Sequence, residues 1–504
     1  MVARICSPTL LGLDTAAVSV EVDLRAGLPA FAIVGLPDTA VRESRERVRS
    51  GIENQGYALR ARRIVANLAP ADLRKAGPQY DLPLALAILV ASGQLDAETL
   101  RGVGAAGELA LDGSVRPIPG VLAMAQHARQ AGWRALMVPA SLAAEARLVE
   151  GLEVLPVRGL RHAAELLRGD APAGDRGAHP IPRVSAPGAH PNLRDVRGQG
   201  AARRALEVAA AGRHSMLMLG PPGSGKTMLA RCLPGILPSL GDAEMLEVTR
   251  IHSAAGLLDA ERPVVRERPF RAPHHTISRS GLVGGGRVPS PGELTLAHRG
   301  VLFLDEVCAF APATLDALRQ PLEEGHVRVT RAMLTHRFPA RPLLVCAGNP
   351  CPCGFAGDVA RTCTCAPARL DAYRGRLSGP VIDRIDIWVE MGRLSPDELS
   401  GAASEEPSES VRGRVEAGER FRASRGQDVA NAEIPASEVR ERSRLSPGAT
   451  ALARRAVDEL ALSGRGYDRL LKVSRTIADL AESERVDDEH LSEALGLRRP
   501  AVAS

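Results

Sequence analysis

Ser215-Met-Leu-Met-Leu219 runs directly into Gly220-Pro-Pro-Gly-Ser-Gly-Lys226-Thr227 and on into Met228-Leu-Ala-Arg-Cys-Leu233. A short apolar run, a glycine-rich turn closed by Lys-Thr and a helical run read as strand, loop and helix. The middle segment matches G-x-x-x-x-G-K-[ST] in full and in the required context. Its glycines let backbone N–H groups wrap phosphate oxygens at a helix N-terminus. Gly220, Pro221, Pro222, Gly223, Ser224, Gly225, Lys226 and Thr227 are therefore assigned to nucleotide binding. Lys226 would neutralise the β/γ oxygens of ATP, and the Thr227 hydroxyl would ligate Mg²⁺. Of 64 basic residues only Lys75, Lys226 and Lys472 are lysines. An ammonium kept against that bias does work that a planar guanidinium cannot.

Further along, Val301-Leu-Phe-Leu-Asp305-Glu306 is an apolar run ending in two carboxylates. A buried strand delivering acids at its C-terminal end is where an α/β sheet binds ligands. Asp305 is expected in the Mg²⁺ shell and Glu306 beside the attacking water. Leu343–Ala347 is a third such run and ends in Gly348-Asn349, whose amide can orient that water or simply form a turn before Pro350. From Leu193 to about Gly392, helices alternating with continuous apolar strands predict a parallel α/β sheet.

The whole chain has 504 residues, 45% hydrophobic and 24% charged, enough for about three domains. Residues 1–168 alternate strand-like and helical patterns: Val18–Leu24, Ala30–Val34 and Ile64–Leu68 as strands, Thr39–Gln55 and Leu82–Ser92 as helices. Residues 169–191, rich in Gly, Pro and Ala, read as a linker. Residues 192–393 hold the nucleotide motifs. Residues 394–504 open on a polar stretch, Ser400–Ser410, and become a Leu/Ala/Arg-rich helical tail. The longest apolar run, Leu82–Ala91, falls short of the ~20 residues of a membrane span. Asp14, Glu21 and Asp23 break any export signal. A soluble, cytoplasmic protein without membrane partners is expected. A formal charge of +5 leans only weakly towards nucleic acid, because the arginine excess reflects a GC-rich genome more readily than a partner.

Four of eight cysteines fall within fifteen residues, as Cys351-Pro-Cys353 and Cys363-Thr-Cys365. Two close pairs suit tetrahedral Zn²⁺, although the spacing is C-x-C rather than C-x-x-C and free thiols are the alternative. An insertion 351–365 stapled by zinc, away from the chemistry, is the expectation.

Long strings now carry a family resemblance: Phe270-Arg-Ala-Pro-His274-His275, Pro291-Gly-Glu-Leu, Gly300-Val-Leu-Phe-Leu-Asp-Glu, Gly348-Asn-Pro-Cys-Pro-Cys-Gly354 and Ser378-Gly-Pro-Val-Ile-Asp-Arg384-Ile-Asp386. The chain resembles an AAA+ ATPase, and more narrowly the magnesium-chelatase-related YifB/ComM family, over nearly its whole length. The resemblance implies an α/β class with a Lon-protease-like N-terminal domain, an AAA+ P-loop core and a C-terminal helical lid. It implies that Arg384 is an arginine finger reaching a neighbour's nucleotide, with an ion pair to Asp383 or Asp386 as the plain alternative. Arg465 and Arg469, in Ser463-Gly-Arg-Gly-Tyr-Asp-Arg469, match the sensor-2 region, Arg465 better. A homo-hexameric ring follows from arginines acting in trans. The surplus between Thr227 and Asp305, about Ile251–Pro291, would hold an insertion facing the pore. The segment His326–Thr335 resembles a DNA-contacting hairpin of MCM rings, making Arg328 and Arg331 candidate phosphate contacts.

Gly27–Asp38, Val65–Asp72 and Tyr80–Ala87 resemble the family's N-terminal domain, similar in fold to the Lon protease domain. Where Lon has its serine this chain has Gln79, and Leu122 and Met124 stand near its lysine position, so covalent hydrolysis has no nucleophile or base. The leading expectation is an ATP-driven ring acting on single-stranded or branched DNA, by resemblance a branch-migration helicase in recombination during natural transformation. A chelatase-like metal-insertion motor and a nucleotide-gated DNA-binding scaffold are the alternatives.

Overall fold

A computed structural model describes residues 2–59, 62–172, 190–286, 289–331, 334–358, 361–377, 384–394 and 406–498. The N-terminal unit is built on a seven-stranded mixed sheet. Its spatial order is Ala30–Val34, Arg63–Ala69, Asp14–Arg25, Val2–Leu11, Val103–Ala105, Ala135–Pro139 and Glu153–Val157. Val18, Val20 and Val22 are wholly buried on one face of Asp14–Arg25, the outcome of strict alternation over a half-covered sheet. Helices Thr39–Asn54, Asp81–Ala91 and Leu160–Arg168 pack with one face of the sheet, and Val121–Gln130 with the other. Leu82–Val90 of that second helix is apolar all round because it is buried all round, as its composition requires.

The second unit carries a five-stranded sheet, Phe270–Arg271, Val301–Leu304, Leu343–Gly348, Met216–Leu219 and Ile387–Glu390 in spatial order. Every neighbouring pair is parallel. The three central strands are nearly continuous apolar runs because both faces are covered. All three end at the same edge of the sheet, so Gly220, Asp305 and Asn349 are brought together there. Phe270–Arg271 pairs with Val301–Leu302, so part of the Ile251–Pro291 surplus is a strand of the core sheet and not an insertion. Leu315, Leu318 and Leu322 are spaced for one helix over Pro312–Glu324, but the structure has two, Pro312–Asp316 and Arg319–Glu324. Pro321 near the start of the second has no N–H to continue a ladder from the first.

Helices Ser408–Ser424, Val439–Ser443, Pro447–Glu459, Gly464–Leu480 and Asp488–Gly496 form the C-terminal array. Val411, Val415, Leu470, Val473 and Ile477 enter one hydrophobic cluster with Met216, Met218 and Val345 of the central sheet. The array is therefore packed on the sheet's flank. Most of the 169–191 linker lies outside the described residues. Among the described residues no helix is long and apolar enough to cross a membrane.

The units are also joined. The tip of the hairpin formed by Val2–Leu11 and Asp14–Arg25 places Leu13, 6% exposed, in one cluster with Ile251, Leu282, Leu302 and Phe338. Arg250 donates to the Leu13 carbonyl at 2.8 Å and pairs with Asp14 at 3.0 Å. Gly120 N–H donates to the Ser253 carbonyl at 2.8 Å.

Candidate nucleotide-binding site

Gly223 and Gly225 adopt φ of 81° and 90°, and a Cβ at either would meet nothing within 4 Å. The turn is thus left-handed and its surroundings are open, a cradle of the kind phosphate groups fill. Gly225 leads into the helical run Lys226–Arg231. Lys226 Nζ donates to the Gly220 carbonyl at 2.7 Å and the Pro221 carbonyl at 2.9 Å, and lies 3.4 Å from Asn349 Oδ1. Burial lowers its pKa, opposed by the charges of Asp305 and Glu306. An ammonium folded onto its own loop's carbonyls has partners it can exchange for phosphate oxygens.

Thr227 Oγ1 donates to Asp305 Oδ2 at 2.8 Å. Two hard oxygen ligands are thereby adjacent at the mouth of the loop, the donor chemistry Mg²⁺ prefers. Asp305 also accepts from the Glu306 N–H at 3.0 Å. Glu306 sits at φ 50°, a left-handed conformation uncommon outside glycine and asparagine. Its carboxylate is 64% exposed and lies 3.8 Å from His275 Nδ1. The His275 ring is 4.1 Å from that of His274. The fold alone brings this histidine to the acid, so no local pattern in the sequence announces it.

Arg384, Arg465 and Arg469 converge elsewhere, on a cavity of about 410 Å³ that Glu323, Asp386 and Lys472 also line. Arg384 donates to Glu323 Oε1 at 3.0 Å through Nε, and this contact holds the Glu323 carboxyl below its usual range. Arg469 Nε lies 3.6 Å from Asp386. Burial works to raise the Asp386 pKa, but His214, Arg469 and Ser215 outweigh it and the net shift is downward. Ser215 and Asp386 precede the strands Met216–Leu219 and Ile387–Glu390. The cavity therefore opens at the opposite edge of the sheet from the phosphate loop, across about 13 Å of extended chain. These arginines thus stand across the sheet from their own phosphate loop.

The hairpin His326–Arg331 and Leu334–Pro339 is antiparallel, with Arg328 directly opposite Arg337. Val327, Val329 and Phe338 are buried on one face, and Arg328, Thr330, Thr335 and Arg337 are exposed on the other. Arg328 is steadied by Glu324 at 3.1 Å and His326 at 3.0 Å. Arg337 had no signal in the sequence except strand register. The Arg331 side chain lies outside the described residues.

Cys351, Cys353, Cys363 and Cys365 place their sulfurs within 4.8 Å of one another. They do not lie away from the chemistry. A Cβ on Gly354 would stand 2.7 Å from Pro222 Cδ, so the cysteine loop rests on the phosphate loop itself. Glu306, Asn349, Cys351 and Tyr373 share one cavity of about 380 Å³. In the N-terminal unit, the Gln79 amide donates to the Ala76 carbonyl at 2.8 Å, and Lys75 is buried against the Pro70 carbonyl.

A strand-borne phosphate loop, an Asp–Glu pair two strands away and an asparagine on the strand between them define an AAA+-like P-loop nucleotide-binding unit. The magnesium chelatase subunit ChlI profile matches residues 192–399, a second profile for that subunit residues 20–141, and its C-terminal profile residues 405–498. An uncharacterized protein of Mycobacterium tuberculosis is 44% identical over 502 residues, 98% of each chain. The YifB protein of Escherichia coli is 42% identical over 490 residues, 97% of this chain and 95% of its own. The competence protein ComM of Haemophilus influenzae is 41% identical over 504 residues, 98% and 97% respectively. The chain belongs to the YifB/ComM family of magnesium-chelatase-like proteins.

Proposed function

We propose that this protein is an ATP-hydrolysing AAA+ motor that works as a homo-hexameric ring on DNA, moving branched recombination intermediates during natural transformation. One observation carries the ring. The phosphate loop and the arginines Arg384, Arg465 and Arg469 occupy opposite edges of one sheet, so a complete site needs two subunits.

Within that site, the loop Gly220–Thr227 binds the phosphates, and Lys226 exchanges its carbonyl partners for β/γ oxygens. Thr227 and Asp305 would hold Mg²⁺, whose chemistry there would be neutralisation of charge on the phosphoryl oxygens. Glu306 accepts the proton of the attacking water, Asn349 orients that water, and His275 steadies Glu306. The neighbour's Arg384 spreads transition-state charge, with Arg465 and Arg469 beside it. The C-terminal array acts as the lid, and the N-terminal unit, a Lon-like domain without protease residues, as the ring's scaffold. The exposed face bearing Arg328 and Arg337, with Arg331 at the hairpin's end, contacts DNA phosphates. The four cysteines hold a structural Zn²⁺. A cytoplasmic setting, where thiols stay reduced and free to ligate a metal, is part of this reading. Similarity to a competence protein supports the transformation role.

The test is steady-state ATP turnover with no DNA, single strands, duplex and a four-way junction, at two salt concentrations. Salt-sensitive stimulation by single strands or junctions supports the motor. Turnover indifferent to every DNA would move the reading to a chelatase-like metal-insertion motor, which the chelatase profile matches also support. DNA binding without stimulation would leave a nucleotide-gated scaffold.

A further inference from the structure

We propose that the four-cysteine site is an interlock on ATP hydrolysis: a Zn²⁺ held there fixes the position of Asn349 and Pro222, and its loss disables the nucleotide site. The proposal rests on the zinc reading above and adds what the metal does.

Sulfur separations are 3.2 Å for Cys351–Cys353, 3.6 Å for Cys353–Cys363 and 3.7 Å for Cys363–Cys351. A tetrahedral tetrathiolate with Zn–S of about 2.3 Å has sulfurs about 3.8 Å apart. The cluster is therefore near the right size without rearrangement. Its chain context is unusual. Cys351 follows Asn349 by two residues, and Cys365 precedes helix Pro367–Leu377 by two. That helix returns Tyr373, whose hydroxyl donates to the Asn349 carbonyl at 3.0 Å. Asn349 is thus gripped on both sides by segments that one metal ion would join. Between the cysteine pairs, Gly354 turns at φ 86° directly over Pro222, and Asp358 is anchored by Arg393 at 3.1 Å.

A loop of this kind has little apolar substance of its own. Only Cys351 of the four is fully buried, and the segment between the pairs forms no helix or strand among the described residues. A metal crosslink supplies the order that packing does not. Without it, the wall formed by Gly354 against Pro222 is free to move. Asn349 then loses the restraint that keeps its amide over Lys226, and the water it orients loses its geometry.

The experiment uses the full-length protein as purified, loaded with zinc or stripped by a chelator and then reloaded. Zinc content, binding of a fluorescent ATP analogue, ATP turnover and hydrogen exchange over 220–227 and 349–358 are measured on each form. About one zinc per chain is expected. Stripping should lower turnover about ten- to a hundredfold and speed exchange in both segments, and zinc should restore both. The double variant Cys363→Ser/Cys365→Ser should match the stripped form. Failure to take up zinc would overturn the metal site and the interlock together. Zinc uptake with unchanged turnover and exchange after stripping would overturn the interlock alone. Should the loaded protein not hydrolyse ATP at all, the ATPase reading falls, and the exchange difference still decides the coupling.

Discussion

Arg384 and Glu323 form an ion pair at the edge of the core sheet opposite Lys226. Because the arginine faces away from its own phosphate loop, its removal should spare binding and stop chemistry. Arg384→Ala is expected to lower turnover by about 10³-fold or more while leaving ATP affinity within error. Mixing the variant with wild-type subunits should depress activity more than dilution does. Strictly proportional activity across the mixing series would rule out a trans role.

Glu306 and Lys226 should separate binding from hydrolysis. Lys226→Ala removes the ammonium buried in the loop and is expected to abolish binding of a fluorescent nucleotide. Glu306→Gln keeps the shape but loses the base, so binding should persist as turnover drops about 10²- to 10⁴-fold. Near-normal turnover in Glu306→Gln would move the base elsewhere, with His275 the nearest other candidate.

The paired Arg328 and Arg337 predict a salt signature. If both contact phosphates, each alanine variant should reduce the slope of log affinity for DNA against log salt by about one. Loss of affinity at an unchanged slope would mean that the hairpin acts through folding and not through charge.

Glu145 predicts a pH dependence in stability. It is buried where the N-terminal unit meets helix Asp242–Ala254, accepting from the Leu122 N–H at 2.7 Å and from the Ser253 hydroxyl. Burial pushes its pKa up to about 7 from an ordinary 4.5, against those two hydrogen bonds. The folded state then holds a proton that the unfolded chain releases. Stability should fall as pH rises from about 4.5 to about 7, by roughly 3 kcal/mol across that window. Glu145→Gln keeps a carbonyl-type acceptor and removes the titration. Melting temperatures recorded from pH 5 to 8 should flatten in this variant, and an undiminished slope would clear Glu145 of the effect.

The candidate nucleotide site is legible from local strings because each strand ends in its candidate residue. Leu219 leads to Gly220, Leu304 to Asp305 and Gly348 to Asn349, and parallel pairing does the rest. Arg337 and His275 were not legible, since register across a hairpin and a return of the chain from residue 275 to 306 leave no local pattern. The cysteine spacing points to one cluster but not to its place: contact between Gly354 and Pro222 joins residues 132 positions apart. The break between Pro312–Asp316 and Arg319–Glu324 leaves no mark on the pattern, because apolar spacing at Leu315, Leu318 and Leu322 continues across it.

Leu13 gives the chain a property that its row of matched profiles hides. A side chain from the first fifteen residues completes the hydrophobic interior built around Ile251 and Leu302, and Arg250 is tied to the backbone beside it. The N-terminal unit is therefore a keystone and not a bead on a string. Cutting the gene at the linker would expose a socket in the remaining half, and any failure of such a truncation would report a hole in its interior before it reported a missing activity.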